Sequence, residues 1–391
     1  MNQGVLHTET QEFINNQLHA DLSKLILKGS PFKEVTIQEL ADQLKSKLKS
    51  KHKLPSWFET EGIYYPKPLS IEQTSSERTA AYKASLITGE SIIDLTGGFG
   101  VDSFFFAKKF SSLTHCEINS ELSEIVAYNY TKLGVKNCHC LAIDGIEKLK
   151  ADPTTYDWIY VDPSRRDDLK SKVFQVEDCL PDISLHLDLL LERSTNIMVK
   201  LSPFLDISST INRLKFIKEI HIIAVKNDVK ELLFLIQKGY SNPIKIKTVN
   251  MLKEAEQVFE GRYPSRAEAS ISHPLHFLYE PNTALLKSGL FNEVSHDLKI
   301  HKLHTNSHLY TSETLIHFPG RCFLISNVFK YSKKLIKKHV TGSKANITTR
   351  NFRESVAQIR KKTGIKEGGD DYLFFTTDMD NKAIVILCKK V

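Results

Sequence analysis

The sequence predicts an α/β protein built on a mostly parallel seven-stranded sheet, with a helical domain before it and an α+β domain after it. Three observations carry this expectation. Between about Ser70 and Ser241, short apolar runs alternate with stretches long enough for helices, the pattern of strands joined by right-handed crossovers and covered on both faces. The first of these runs leads straight into a glycine-rich turn, Asp94-Leu-Thr-Gly-Gly-Phe-Gly100. After Arg321 the periodicity gives the order βαβαββ.

In chain order, residues 1–68 read as a helical domain. Phe13, Ile14, Leu18, Leu22 and Leu25 recur at helical spacing, as do Ile37, Leu40, Leu44 and Leu48. Thr36 with Glu39 forms a helix-start capping pair. The basic run Lys45–Lys53 suits either a solvated helix end or a nucleic-acid contact, and Pro55, Pro66 and Pro68 punctuate the exit. Residues 69–241 hold the sheet, with strands expected at Ser91–Leu95, Leu113–Glu117, Cys138–Ala142, Trp158–Val161, Ile197–Leu201, Glu219–Val225 and Glu231–Ile236. The last two lie too close for a parallel crossover, so they pair antiparallel. Residues 242–320 have weak periodicity and read as a compact connecting domain. Residues 321–391 give a strand at Arg321–Phe329, basic helices at Tyr331–Val340 and Arg353–Lys362 around a strand at Ala345–Asn351, and a closing hairpin. Asp378, Asp380 and Asn381 suit its turn; a calcium loop lacks its later glycine and glutamate.

A chain of 391 residues with 41% hydrophobic and 25% charged residues excludes a disordered or fibrous protein and suggests two to four domains. Six cysteines without a paired C-x-x-C lead us to expect no metal site, Cys138 and Cys140 around His139 included. No apolar run nears the roughly 18–20 residues of a membrane span, and Met1–Ala20 lacks a signal-peptide pattern. A cytoplasmic protein with no membrane partner is expected. Net charge is +7, yet Lys330–Lys366 alone carries twelve Lys or Arg against one acid, Glu354, so the basic excess is local.

The turn after the first strand carries the chemistry. Its glycines let the backbone approach a ligand closely. Glu117 closes the second strand, where an acid can accept from ribose hydroxyls, and Asp144 follows the third, where it can meet an adenine edge. A dinucleotide fingerprint fails at Ser103, which stands where its last glycine belongs. Carboxylates at Asp94 and Asp102 bracket the loop, unsuited to pyrophosphate but suited to the cationic amino-acid end of S-adenosyl-L-methionine.

This loop, Glu117, Asp144 and the seven-strand outline resemble class I S-adenosylmethionine-dependent methyltransferases with a Rossmann-like sheet. More closely, Glu72-Gln-Thr-Ser-Ser-Glu77 leading to Tyr82-Lys83, the Asp94–Gly100 loop and Asp162-Pro-Ser-Arg-Arg166 resemble a bacterial family with a ferredoxin-like connector and a C-terminal THUMP-like domain. The resemblance spans nearly the whole chain. It implies a cofactor set of Asp94, Thr96, Gly97, Gly98, Gly100, Glu117, Ile118, Asp144 and Asp162. By analogy with THUMP domains it also implies binding to RNA, rRNA or tRNA.

The acceptor is read from the segment after the fourth strand. Enzymes of exocyclic base amines commonly place an acid or Asn, two prolines and an aromatic there. Here Ser164 and Arg165 replace the second proline and the aromatic, so that stacking is lost. Arg165 and Arg166 suit phosphate, or a salt bridge to Asp167 or Asp168. A cysteine nucleophile for C5 methylation is not expected, since Ser164 and Ser202 stand where it belongs and Cys116 and Cys179 do not. Lys83, Asp162, Lys200 and Glu231 follow an order similar to the tetrad of ribose 2′-O-methyltransferases, in which a lysine activates the hydroxyl. Contact with phosphate or cofactor carboxylate would account equally for the lysines, and a strand cap for Glu231. On the C-terminal helices, Lys333, Lys334, Lys337, Lys338, Arg353, Arg360, Lys361 and Lys362 offer a surface for a phosphate backbone, or a solvated face. The expectation is a methyltransferase of a base or ribose in structured RNA. A protein or small-molecule methyltransferase and a non-catalytic cofactor-binding RNA-binding protein are the alternatives.

Overall fold

The computed structural model describes residues 1–165, 175–340 and 342–391. They form two compact units: Met1–Ile217 with Phe234–Ser241, and Lys218–Leu233 with Asn242–Val391. No helix among the described residues is long and apolar enough to cross a membrane.

The first unit opens with helices α1 (Thr8–Asn16), α2 (Leu22–Lys28), α3 (Ile37–Lys53), α4 (Pro55–Glu59), α5 (Pro68–Gln73) and α6 (Glu77–Ser85). The capping box that starts α3 is present: Thr36 Oγ1 accepts from the Glu39 amide at 3.2 Å, and Glu39 Oε2 from the Thr36 amide at 2.7 Å. The expected helical domain over residues 1–68 does not have a core of its own. Leu40, Trp57 and Tyr65 pack in one cluster with Phe99, Phe104 and Val126, which belong to the sheet region. Helices this short gain most of their stability from burying an apolar face, and the sheet's own helices supply the surface.

The parallel strands are β1 (Ser91–Asp94), β2 (Ser112–Cys116), β3 (Cys138–Leu141), β4 (Trp158–Val161) and β5 (Asn196–Leu201), in the order β3-β2-β1-β4-β5. Helices α7 (Val101–Ala107), α8 (Ser120–Lys132), α9 (Gly145–Ala151), α10 (Ile183–Arg193) and α11 (Ile207–Arg213) alternate with them. Two strands joined only by Lys226-Asn227 follow, β6 (Ile217–Val225) and β7 (Asp228–Gln237), and β7 lies next to β5. Both joining residues have positive φ, 51° and 63°, the tight turn that returns a chain antiparallel.

In the second unit, residues 242–263 differ from the expected connector. They form β8 (Ile244–Met251), parallel to β6, and β9 (Glu256–Tyr263), antiparallel to β8. Lys245, Ile246, Lys247 and Thr248 alternate between half-buried and buried, as a strand with one face covered requires, before the strand becomes buried throughout. A second sheet follows. Its strands β10 (Phe277–Pro281), β11 (His301–Lys302), β12 (Tyr310–Ser312), β13 (Gly320–Lys330), β14 (Asn346–Thr349), β15 (Asp371–Thr377) and β16 (Ala383–Lys390) take the order β11-β12-β10-β13-β16-β15-β14. Among the helices of this unit are α12 (Thr283–Ser288), α13 (Phe291–Asp297), α14 (Lys333–His339) and α15 (Val356–Thr363). Ile336 of α14 and Ile359 of α15 join Phe375 and Val385 in one cluster, so both helices cover the same face. The expected helix over Arg353–Lys362 starts three residues later, because Ser355 and Gln358 close a capping box there. Arg353 therefore precedes the helix.

Candidate functional site

The C-terminal ends of β1, β2 and β4 and the loop after β3 open onto a cleft of about 750 Å³ in the first unit, the edge at which parallel α/β sheets bind ligands. The loop after β1 is shaped by two glycines. A Cβ at Gly97 would lie 2.1 Å from His115 Nε2, and Gly100 has φ +75° with Tyr130 Oη 2.5 Å from where a Cβ would stand. His115 is fully buried beneath the turn, and burial pushes its imidazole down to about 4. A neutral ring is therefore the platform on which the loop rests.

Three carboxylates stand at successive points of the cleft. Asp94, at the end of β1, accepts from Ser103 Oγ at 2.6 Å and from the Thr96 amide at 3.0 Å. Burial pushes its carboxyl up to about 7 against those two hydrogen bonds, with Asp102 and Asp162 adding to the rise. Glu117, after β2, accepts from the amides of Gly98 and Asn119, both at 2.8 Å, which pins the loop to the second strand. Asp144, after β3, caps α9 by accepting from Ile146 at 2.7 Å and Glu147 at 3.2 Å. Ile118, Asp144 and Ile146 line the same cleft, and Ile118 is 74% exposed.

Below them lie two lysine–aspartate pairs. The register aligns Val161 with Val199, so the next positions bring Asp162 beside Lys200, and the two form an ion pair. Thr96 Oγ1 accepts from the Asp162 amide at 2.6 Å, tying the first loop to the fourth. Lys83 of α6 is fully buried and pairs with Asp102 at 3.0 Å. Ser75 links both, accepting from Lys83 Nζ at 2.9 Å and donating to Asp102 Oδ2 at 2.9 Å, while Tyr160 Oη donates to the same oxygen at 2.6 Å. Burial works against ionisation of Asp102, but the Lys83 and Lys200 ammonium groups and the Tyr160 hydroxyl outweigh it and hold its carboxyl below the usual range.

Of the four residues read as a tetrad, Asp162 lines the cleft; Lys83, Lys200 and Glu231 are not among its lining residues. Glu231 is buried in β7 and belongs to the second unit. Asp102, expected to face the amino-acid end of a cofactor, is instead held by Lys83, Ser75 and Tyr160, and neither Ser75 nor Tyr160 was a candidate. Ser75 stood within the Glu72–Glu77 motif and Asp102 beside the loop, but nothing in their spacing names Lys83 as their partner. Arg165 ends a two-residue strand paired with Cys179–Leu180; Arg166, Asp167 and Asp168 lie outside the described residues.

The basic residues of the C-terminal domain separate into two groups. Lys333, Lys334, Lys337, Lys338, Arg353 and Lys361 are exposed, with the Arg353 guanidinium 6.0 Å from the centre of the Tyr331 ring. Lys362 pairs with Glu354 at 2.9 Å. Arg360 donates to the carbonyls of Ile365 at 3.1 Å and Ala345 at 3.4 Å. Asp378 behaves as a turn residue, its Oδ1 accepting from the amides of Asp380 and Lys382 at 3.0 and 2.8 Å. His273 comes close enough to Asp378 and Asp380 for the three to share an ion, yet Lys382 already pairs with Asp380 at 3.0 Å.

The fold is that of class I methyltransferases. The family described as THUMP domain-like matches residues 320–390, and a ferredoxin-like domain family matches residues 277–319. A crystal structure of a protein from Porphyromonas gingivalis W83, assigned as a methyltransferase, is 31% identical over 100% of this chain and 98% of that one, with a TM-score of 0.89. An RNA methyltransferase of Mycoplasma mobile is 35% identical over 77 residues, 20% of this chain. The match spans about a fifth of that curated relative's length, 21%. The chain belongs to the methyltransferases that carry a ferredoxin-like connector and a C-terminal THUMP-like domain.

Proposed function

We propose that this chain transfers a methyl group from S-adenosyl-L-methionine to structured RNA, rRNA or tRNA. The observation that carries the reading is that Asp94, Glu117 and Asp144 follow three adjacent parallel strands and line one cleft together with Asp162. The donor set fits this cofactor. A buried carboxyl pushed up to about 7 releases its proton to water when a cationic ammonium group binds beside it. Glu117 holds two amides and, with about four lone-pair sites, can still accept from a ribose diol. The Asp144 oxygen not used to cap α9 is available to an adenine amine, and Ile118 and Ile146 suit an apolar ring face. The bound cofactor supplies an electrophilic methyl on a sulfonium.

The chain's own groups then orient the acceptor. Lys200 fixes one oxygen of Asp162, and the other is available to accept a hydrogen bond from the nucleotide. Holding the acceptor in line with the methyl is the larger part of such catalysis. Ser75, Asp102 and Tyr160 line the same cleft, with Lys83 buried behind them. In the C-terminal domain, the exposed lysines of α14 and Lys361 would contact phosphates, which gives affinity without sequence selectivity.

The test is transfer of labelled methyl into RNA from cells lacking this protein, followed by nuclease and protease digestion. Label in nuclease-sensitive material is the expected result. Tight cofactor binding with label only in protease-sensitive material, or in neither polymer, would overturn the RNA assignment.

A further inference from the structure

The cleft does not stop at Asp162. Its far wall is made by Ser164, Leu180, Pro181, Leu185 and His186. Leu180 and Leu185 are 50% and 73% exposed, unusual for large apolar side chains, and both face the same cavity as the cofactor carboxylates. We propose that this wall receives a nucleobase and that the methyl acceptor is a base nitrogen. The inference rests on the RNA reading above and names which part of the nucleotide reacts.

Two features favour a base over a ribose hydroxyl. A flat ring has two apolar faces and a polar edge, and the wall offers leucine and proline surface bordered by Asp162, Ser164 and His186. Hydroxyl activation also requires a lysine facing the cleft. Lys83 is fully buried on Asp102, Lys200 is held by Asp162, and neither lines the cavity. Carbon methylation fares no better, because the one lining cysteine, Cys116, is fully buried and its thiol is pushed up to about 12 by that burial.

The lost aromatic at position 165 is thus replaced by aliphatic packing from α10 and the strand before it. Asp162 accepts from one N–H of an exocyclic base amine. As the nitrogen lone pair forms the new N–C bond, the electrons of the breaking S–C bond stay on sulfur. The nitrogen's proton passes to His186, a half-buried imidazole that lines the same cleft.

The experiment uses the full chain, labelled cofactor and RNA from cells lacking the protein. The product is digested both enzymatically and with alkali. Label in a modified base, released by alkali as mononucleotide, is expected. Label in alkali-stable dinucleotides identifies 2′-O-methylation and overturns the inference while leaving the RNA reading intact. Absence of label in RNA overturns both. Leu185→Ser, at an exposed position, should lower kcat/KM for RNA roughly tenfold or more, as loss of a base platform does, with cofactor affinity unchanged. His186→Asn should lower kcat by about a hundredfold with cofactor affinity unchanged. Wild-type rates in both variants would refute the assignment of this wall.

Discussion

Two lysine-rich stretches, Lys45–Lys53 in α3 and Lys333–Lys338 in α14, look alike as sequence and are put to different uses. In α3, Lys47 is buried and donates to Asn15 Oδ1 at 2.6 Å, Lys49 pairs with Glu72, and Lys53 donates to the carbonyls of Ile71 at 2.9 Å and Glu72 at 2.7 Å. These ammonium groups fasten α3 to α1 and α5. In α14, Lys333, Lys334, Lys337 and Lys338 are all exposed, and none forms an ion pair with a described residue. Local charge density is left available to an outside partner only where the fold gives the ammonium groups nothing of its own to hold.

That contrast can be broken at several strengths. Lys83→Met strands Asp102 in the core, so chemical denaturation should register a loss of about 3–5 kcal/mol, the usual cost of breaking a buried pair from one side. A wild-type midpoint would mean that Asp102 is carried by Ser75 and Tyr160 alone. Lys200→Met should instead slow methyl transfer by about a hundredfold or more with cofactor affinity intact. Unchanged turnover would remove the Lys200–Asp162 pair from the reaction.

A pH titration sharpens the picture at the cleft. Because the folded carboxyl of Asp94 lies at about 7, above its unfolded value of 3.8, it stabilises the free protein fully below about pH 4. That contribution is lost as pH rises through 7. Binding of a cationic ligand draws the other way, toward the ionised form. Cofactor affinity, followed by calorimetry, should therefore fall about tenfold per unit below pH 7 and level off above it, with proton release near neutrality. Asp94→Asn should bind weakly and without this dependence. A flat wild-type profile would detach Asp94 from the ligand.

Charge reversal of Lys333, Lys334, Lys337 and Lys338 should weaken RNA binding strongly at low salt. It should also flatten the plot of log affinity against log salt by roughly 0.7 for each phosphate that is no longer neutralised, with the thermal midpoint unmoved. A wild-type slope would refute α14 as the docking face. The smallest effect is expected from Lys45→Glu with Lys51→Glu, which should leave the slope unchanged; a drop equal to that of α14 would erase the comparison from which it follows.

What could be read before folding was local. The strands at Trp158–Val161 and Asn196–Leu201, the Thr36–Glu39 capping box and the Asp94–Gly100 turn depend on residues a few positions apart. Glu117 and Asp144 were legible because a parallel sheet puts successive strand ends on one edge. The sharing of one core by Trp57 and Phe104 was not legible, since an apolar helix face does not name what covers it. Nor was the alternation in Ile244–Met251 read as a strand.

The glycine turn, the acids at the strand ends and seven of the sheet's nine strands were legible, because each follows from backbone sterics and side-chain periodicity over short spans. Only the tertiary structure decided which lysine meets which acid. It turned Lys83 inward onto Asp102, Ser75 and Tyr160, set Lys200 beside Asp162, spent Lys49 and Lys53 on α5, and left α14 facing water. Coulomb attraction acts over a few ångströms in space and is indifferent to distance along the chain. Partners 19 and 38 residues apart become partners only when strand register and helix packing bring their side chains together.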